Sequence, residues 1–183
     1  MTGSTMHGIL FKSLKDFVVE RHDREAWDGA LDSAGLTGKV YLPIDTYDDA
    51  ELRRLVEAVS DRTGGPVGEL QEAFGRYAGG RLLETYGNVA SEEGGALELI
   101  ANTETRIHSV LRARDPDIDP PNLTCRRDGD AVRVEYRSER DLCSVAKGIA
   151  RGVGDHYDEP VAVTESACMR DGDEHCELVV RTE

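Results

Sequence analysis

The stretch EYRSER, Glu135–Arg140, places Tyr136, Ser138 and Arg140 at alternate positions just before a segment with helical spacing. Alternation with a period of two is typical of a β-strand, in which every second side chain lies on one face. A face of Tyr, Ser and Arg is too polar to pack against plain hydrocarbon, because buried polar groups need hydrogen-bond partners. The stretch therefore predicts a strand whose polar face holds a buried group of negative charge.

Upstream of position 112, the sequence predicts five helical segments. Apolar residues recur at helical spacing, with Asp23 as the expected N-cap of the second helix and Gly35 and Gly64 as expected helix ends. The fourth segment is expected to be loosened at Gly79–Gly80, and the fifth to run from about 96 to 112. The first half of the chain is thus predicted to be helical.

The second half has a different pattern. DPDIDPPNL holds three prolines in nine residues and is not helix, because proline lacks the amide that a helix interior needs. Four strand-like runs follow, paired around two RDGD turns at 127–130 and 170–173, with one helix between the pairs. The predicted fold class is α+β in one domain, 1–183: a helical subdomain at about 6–65, then helices and an antiparallel four-stranded sheet at 66–183.

The charge balance restricts the partners. Asp and Glu number 36 against 22 Lys and Arg, a formal net charge of −14, which disfavours nucleic acids and anionic membranes. No apolar run reaches the ~18 residues of a membrane span, and MTGSTMHG does not resemble a secretory signal. A cytoplasmic location is expected, with the four cysteines reduced or bound to a metal.

His108 lies in the fifth helical segment, and eleven residues separate it from the pair Pro120–Pro121. Alone it would be read as a core histidine. Together with the Tyr-x-Ser-x-Arg alternation, the start MHGILFKSLKDFV, the stretch YDDAELRRLVEAVSDRTG and EAFGRY, it resembles the heme-nitric oxide/oxygen-binding (H-NOX) family nearly from end to end. The resemblance implies a fold in which helices and the sheet surround a heme pocket.

The resemblance also implies roles for particular residues. His108 would be the proximal ligand of a heme b iron, and Pro121 the residue that presses the macrocycle out of planarity. Tyr136, Ser138 and Arg140 would hold the heme propionates, which accounts for the polar strand face. The chemistry is consistent, because arginine offers a planar bidentate donor to a carboxylate and the two hydroxyls add neutral donors.

Ligand choice depends on hydrogen-bond donors above the iron. Oxygen-binding members of the family carry a tyrosine nine residues after the first residue of the Tyr-x-Ser-x-Arg motif, with polar support from two helices. Here the matching positions are Val145, Leu10 and Ala78, all apolar. The resemblance therefore implies a five-coordinate ferrous heme that binds nitric oxide, and carbon monoxide more weakly, and largely excludes dioxygen.

The implied function is a gas sensor without catalysis of its own. Nitric oxide would weaken or break the bond between iron and His108, and the helix that carries His108 would move relative to the N-terminal helices. The signal would pass to a separate effector such as a histidine kinase, a cyclic-nucleotide enzyme or a chemotaxis receptor. No motif for phosphate binding or nucleophilic catalysis is found in the chain.

Three cysteines permit a second metal site. Cys143, Cys168 and Cys176, with Glu165 or His175 as the fourth donor, suit tetrahedral zinc. Some members of the family carry such a cluster, with a histidine where this chain has Glu165. A set of small buried residues without a metal is the other interpretation.

The run ESACMRDGDEHCELVV also resembles vinyl-reductase-type (4-vinyl reductase) domains. The alternatives are therefore a small-molecule-binding or zinc-stabilised interaction domain without heme, and an enzyme acting on a tetrapyrrole-like ligand.

Overall fold

The computed structural model describes residues 4–87 and 94–183. The remaining residues of the predicted domain, 1–3 and 88–93, lie outside the described part. The described residues form seven α-helices: α1 Gly8–Arg21, α2 Arg24–Ser33, α3 Asp49–Thr63, α4 Val67–Tyr86, α5 Gly95–Ala101, α6 Ser109–Arg114 and α7 Cys143–His156. They also form six strands: β1 Thr5–His7, β2 Thr46–Asp48, β3 Asn122–Asp128, β4 Ala131–Arg137, β5 Val161–Ala167 and β6 Cys176–Thr182. The predicted α+β class is confirmed.

The expected helix boundaries in the first half are confirmed by their caps. The Asp23 carboxylate accepts a hydrogen bond from the Ala26 amide at 2.7 Å and starts α2. Gly64 ends α3 in a left-handed conformation, with φ of 78°, which glycine adopts without a Cβ penalty. Gly35, just after α2, has φ of 71°. Side-chain caps and glycines therefore fix this part of the chain locally.

The prediction that the fourth helix is loosened at Gly79–Gly80 is wrong, because α4 runs unbroken from Val67 to Tyr86. Its glycines instead allow α7 to pack closely. A Cβ on Gly75 would lie 2.2 Å from the carbonyl oxygen of Val145, and one on Gly79 would lie 2.8 Å from that of Ile149. The two helices are the central layer of the fold.

The fifth predicted helix is divided into three pieces rather than continuous. After α5, a π-helical turn spans Glu104–His108, and α6 follows at Ser109. The Ser109 amide donates to the Glu104 carbonyl, five residues back, as a π-turn requires. Such turns insert one residue and change the direction of the side chains, and this one ends at His108.

The predicted sheet is confirmed as four antiparallel strands in the order β3-β4-β6-β5. Both RDGD turns use glycine at positive φ, 61° at Gly129 and 99° at Gly172. A second, two-stranded sheet pairs β1 with β2 and was not predicted. Three residues are too few for an alternating pattern to be recognised.

The described residues form three hydrophobic clusters, and the two larger ones both include residues of α4 and α7. The first core joins α1, α2 and α3 to the first half of α4 and includes Phe11, Phe17, Trp27 and Phe74. The second core packs α5 and the C-terminal half of α7 on the sheet. Among the described residues, no helix is both long enough and apolar enough to cross a bilayer.

Candidate functional site

A cavity of about 220 Å³ lies between the N-terminal helices and the segment that carries His108. One part of its lining, which we call the histidine wall, consists of Thr103, Ile107, His108, Leu111, Pro120 and Pro121. Another part, which we call the hydrocarbon wall, comes from α1, α4 and α7 and consists of Leu10, Leu82, Leu83, Ile149 and Val153. A smaller cavity of about 110 Å³ shares His108, Pro121 and Ile149 and extends to Tyr136 on the sheet.

His108 is the imidazole shared by this space, since it lines both cavities and its side chain is only 13% exposed. Its Nδ1 lies 3.1 Å from Oε2 of Glu104. Burial lowers the pKa of His108 and outweighs the opposite effects of the Glu104 carboxylate and of the Pro121 carbonyl. The ring is therefore neutral at physiological pH, and a neutral ring leaves one nitrogen lone pair for a metal.

Glu104 is held by three groups. Its Oε2 also accepts a hydrogen bond from the Leu123 amide at 3.1 Å, and its Oε1 is paired with the guanidinium of Arg112. Burial alone would raise the pKa of Glu104, but Arg112, the Leu123 amide and His108 together hold it below the ordinary value. A carboxylate can only accept, so the hydrogen on Nδ1 of His108 belongs to the histidine.

Arg112 joins this network to Pro120 and Pro121, which we call the proline corner. Its Nη2 lies 3.3 Å from the carbonyl oxygens of both Pro120 and Pro121, and 3.4 Å from Oδ1 of Asn122. Pro121 lies beside His108 on the walls of both cavities. The structure thus brings together His108 and Pro121, which are thirteen positions apart in the sequence.

The three Tyr-x-Ser-x-Arg residues lie at the end of a strand and in the turn after it, and not together on one strand face. β4 ends at Arg137, so Tyr136 lies on the strand while Ser138 and Arg140 lie in the turn after it. The expectation of three residues on one strand face is wrong in this respect. Tyr136 is 3% exposed, and burial raises the pKa of its phenol to about 12.

Arg140 connects three segments at the edge of the larger cavity. Its Nε donates to Oδ2 of Asp49 at 2.7 Å, and its other nitrogens donate to the Ser4 hydroxyl and the Asp119 carbonyl. The Arg140 amide donates to the Ser138 hydroxyl at 3.3 Å. The side chain is 9% exposed and lies on the wall of the cavity. A buried cation therefore stands beside an apolar space.

The three predicted distal residues lie in two places. Leu10 lines the cavity, whereas Ala78 and Val145 are buried in the first core, where α4 and α7 pack together. His7 and Tyr86 also line the cavity, with their ring centroids 6.4 Å apart. Sequence reasoning gave no role to either, although Tyr86 follows Leu82 and Leu83 by a helical turn and shares their face.

The cysteine cluster forms as the sequence suggested. Sγ of Cys168 lies 3.9 Å from Sγ of both Cys143 and Cys176. One ligand atom from each of these cysteines and from Glu165 lies within 4.8 Å of the others. His175, the other suggested donor, is not in this group, and its Nδ1 is buried without a hydrogen-bond partner. Cys125, on β3, is half-buried against the second core.

The described fold places the largely buried imidazole of His108 beside an apolar cavity, and comparison with known proteins assigns the class, a heme-binding sensor domain. A family model described as Haem-NO-binding matches residues 7–165. The chain belongs to this family, the H-NOX family of heme-based gas sensors.

One curated relative is the soluble guanylate cyclase gcy-31 of Caenorhabditis elegans, which is 23% identical over 137 residues. The match covers 74% of this chain but only 20% of the length of the cyclase.

Solved structures show the same fold. An H-NOX protein from S. oneidensis in the Fe(II)NO ligation state superposes with a TM-score of 0.89 at 24% identity, covering 97% of this chain and 99% of that one. The unliganded Fe(II) H-NOX protein from K. algicida gives 0.84 at 19% identity, covering 97% of both chains. A point mutant of the T. Tengcongensis H-NOX gives 0.83 at 22%, covering 97% of this chain and 98% of that one.

Proposed function

We propose that this chain is a cytoplasmic heme-based sensor that binds nitric oxide, and carbon monoxide, at an iron held by His108, and that it largely excludes dioxygen. The proposal rests on where His108 lies and on what its ring contacts. Its side chain is 13% exposed, its Nδ1 contacts Glu104, and it lies on the wall shared by two adjoining cavities. Histidines that bind metals almost always donate their second ring N–H to a carboxylate, a carbonyl or water, and Glu104 is placed to accept that hydrogen bond.

The residues around the cavity fit heme b. The hydrocarbon wall suits an apolar macrocycle, and Arg140 is a buried cation at the edge where carboxylate groups would lie. Asp49, the Asp119 carbonyl and the Ser4 hydroxyl accept hydrogen bonds from that guanidinium, so a heme carboxylate would share Arg140 with them or displace one of them. Ser138 and Tyr136 would add hydroxyl donors near the same edge, and Pro121 would contact the ring beside His108.

The heme would supply a ferrous iron that binds diatomic gases. The selectivity is proposed to come from the hydrocarbon wall, since bound dioxygen needs a hydrogen-bond donor and nitric oxide does not. Leu10 supplies only hydrocarbon to this wall. Ala78 and Val145 are proposed to keep the neighbouring α4–α7 packing free of polar groups.

The output is proposed to be conformational, with no catalysis by this chain. The segment bearing His108 is linked to the proline corner by Arg112, and Arg140 links that corner to Ser4 and Asp49 of the N-terminal region. A change at His108 can therefore be passed to α3 through hydrogen bonds. The effector would be a separate protein such as a histidine kinase, a cyclic-nucleotide enzyme or a chemotaxis receptor.

The test is the absorption spectrum of the purified, reduced protein before and after nitric oxide, carbon monoxide and air. We expect a Soret band typical of a five-coordinate ferrous heme, a large shift with nitric oxide, a smaller one with carbon monoxide, and no stable complex in air. A colourless protein, or a stable oxygen complex, would contradict the proposal. A colourless protein containing zinc would favour the interaction-module alternative.

We also propose a zinc site at Cys143, Cys168, Cys176 and Glu165. Tetrahedral zinc with Zn–S bonds of about 2.3 Å separates its sulfurs by about 3.8 Å, close to the 3.9 Å between Cys168 and each neighbour. The Met169 amide donates to Sγ of Cys176 at 3.3 Å, which suits a thiolate. Burial raises the pKa of the Cys143 thiol to about 12 without a metal, so zinc would have to displace its proton.

Metal analysis of the purified chain tests the zinc site. We expect about one zinc per chain in the wild type and loss of it in Cys176→Ser. Cys125→Ser is the matched control, because that thiol lies on β3 outside the cluster. Zinc retained by Cys176→Ser, or absent from the wild type, would contradict the assignment.

A further inference from the structure

We propose that Glu104 is a positioning residue that sets the strength of the axial bond from His108, and so the ease with which a gas ligand breaks that bond. The inference rests on the proposed heme function. It begins from the contact between Nδ1 of His108 and Oε2 of Glu104 at 3.1 Å. An imidazole that donates a hydrogen bond to a carboxylate gains electron density and becomes a stronger ligand through its other nitrogen.

The local backbone brings this pair together. Glu104 and His108 are the first and last residues of the π-helical turn, which is closed by the hydrogen bond from the Ser109 amide to the Glu104 carbonyl. Residues four apart face each other on a helix surface. The inserted residue of a π-turn would alter this facing, and the distance of 3.1 Å shows that the pair is nevertheless in contact.

The Glu104 carboxylate is itself fixed, which distinguishes it from an acid that meets a histidine by chance. Arg112 pairs with Oε1, and the Leu123 amide donates to Oε2 at 3.1 Å. Arg112 is in turn anchored on the carbonyls of Pro120 and Pro121. Glu104 is therefore tied to one helix face, to strand β3 and to the proline corner, so it fixes both the tautomer and the orientation of the His108 ring.

The strength of the axial bond depends on the charge at Glu104. A full negative charge at Glu104 draws the Nδ1 proton more strongly than a neutral acceptor would, and hydrogen bonds to charged groups are roughly twice as strong as neutral ones. Arg112 moderates this effect by sharing the carboxylate. The pair Glu104–Arg112 would therefore give His108 an intermediate ligand strength, firm enough to hold iron and weak enough to be released when a ligand binds on the other side.

The experiment compares Glu104→Gln, Glu104→Asp and the wild type as reduced, heme-loaded full-length protein. Gln keeps the shape of Glu104 and removes its charge, while Asp keeps the charge and withdraws it from His108 by one methylene. We expect the iron–histidine stretching frequency in resonance Raman to fall in both variants. The heme reduction potential should rise in Glu104→Gln and change less in Glu104→Asp, because only the Gln variant loses an anion. Glu57→Gln, on the exposed face of α3, is the matched control.

The ease of release gives a second readout. Outer-shell partners of metal ligands typically contribute roughly 10–100-fold to affinity, so we expect the equilibrium between broken and intact axial bond under nitric oxide to shift roughly tenfold toward broken in Glu104→Gln. If the Gln variant does not retain heme, the iron–histidine stretching frequency of the Asp variant tests the role of Glu104.

An unchanged frequency and potential in variants that hold five-coordinate heme would overturn the role of Glu104 and leave the proposed function intact. A wild type without an iron–histidine band would overturn both. A purely structural role would lower heme retention without moving the frequency or the potential, and that result would also contradict the inference.

Discussion

The histidine wall and the hydrocarbon wall of one cavity are built by different kinds of interaction. On the histidine wall, His108, Glu104 and Arg112 form a connected hydrogen-bond network that ends on the carbonyls of the proline corner. On the hydrocarbon wall, Leu10 and Ile149 offer only apolar groups, and the helices beneath them are held by glycine-mediated packing. The histidine wall holds the His108 ring in one orientation through hydrogen bonds. The hydrocarbon wall makes only non-directional van der Waals contacts.

This difference shows how selectivity and switching can be separated within one site. A hydrogen-bonded network has discrete arrangements, so it can change between two states. A hydrocarbon surface discriminates between ligands because it has no hydrogen-bond donor, so a ligand that needs a donor binds less favourably there. Substitutions on the histidine wall should therefore alter bond strength and signalling, and substitutions on the hydrocarbon wall should alter which gas binds.

The largest effect is expected from His108→Gly. The chain would lose its axial ligand, and heme retention should fall more than about a hundredfold, beyond the range seen for outer-shell partners. Free imidazole should restore a five-coordinate spectrum, because the cavity that the side chain leaves can admit it. Titration with heme followed by absorbance measures both quantities. His22→Gly, at the exposed C-cap of α1, is the control. Retention of a wild-type spectrum by His108→Gly would mean that another residue holds the iron.

Arg140→Met is expected to have the next largest effect, because Arg140 holds the edges of both walls together. It binds Ser4 and Asp49 on the N-terminal side and the Asp119 carbonyl beside the proline corner. Removing one member of a largely buried ion pair leaves the other unpaired. We expect about 2 kcal/mol lower unfolding free energy in denaturant titrations, the scale of a lost hydrogen bond between charged groups, together with weaker heme binding.

Two variants make the Arg140 experiment specific. Arg137→Met, on an exposed side chain three residues earlier, should change little. The double variant Arg140→Met/Asp49→Asn should recover part of the loss of stability, because it leaves no unpaired charge at this pair, but it should not recover heme binding. Equal losses from Arg137→Met and Arg140→Met would show that position 140 has no special role.

The sequence was sufficient for the parts of the fold that depend on local chemistry. Asp23 and Gly64 mark helix ends by capping and by positive φ, and both RDGD turns were recognised from Asp-Gly. It was not sufficient where tertiary contacts decide. Gly79 has the propensity of a helix breaker, yet it lies in a continuous helix because α7 occupies the space that a side chain would need.

The candidate site likewise has residues that the sequence identified and residues that it did not. His108, Pro121 and Arg140 were selected from their pattern together with the resemblance to the H-NOX family, and the structure places all three on the wall of the larger cavity. Glu104 and Arg112 were missed, although their spacing of four on each side of His108 is a visible helical signal. The π-turn that spans Glu104–His108 has no sequence signature that the helical pattern alone reveals. Tyr86 was missed because its neighbourhood depends on how α4 meets β1 and α1.

Leu10→Gln is expected to give a moderate change confined to ligand choice. The amide would place a hydrogen-bond donor on the hydrocarbon wall, and one such bond is worth about 1.5 kcal/mol, or roughly tenfold in affinity. We expect slower dioxygen release and a detectable complex in air, with nitric oxide binding nearly unchanged. Stopped-flow measurement of dioxygen dissociation tests this. Leu10→Met, which adds no donor, should behave like the wild type, and the same dioxygen behaviour in both variants would contradict the proposed basis of selectivity.

The smallest effect is expected from Tyr86→Phe, which tests whether a donor beside the hydrocarbon wall reaches the ligand. Tyr86 lines the cavity, and burial raises the pKa of its phenol, so the hydroxyl stays protonated and is a potential donor. If selectivity arises from the absence of a donor near the ligand, removing this hydroxyl should change carbon monoxide and nitric oxide binding less than about twofold, because a net hydrogen bond is worth more than that. Carbon monoxide titration measures the difference, with Tyr77→Phe on the outer face of α4 as the control. A tenfold loss of carbon monoxide affinity in Tyr86→Phe alone would show that the hydroxyl reaches the ligand. Ligand choice would then depend on a donor at residue 86 and not on the absence of one.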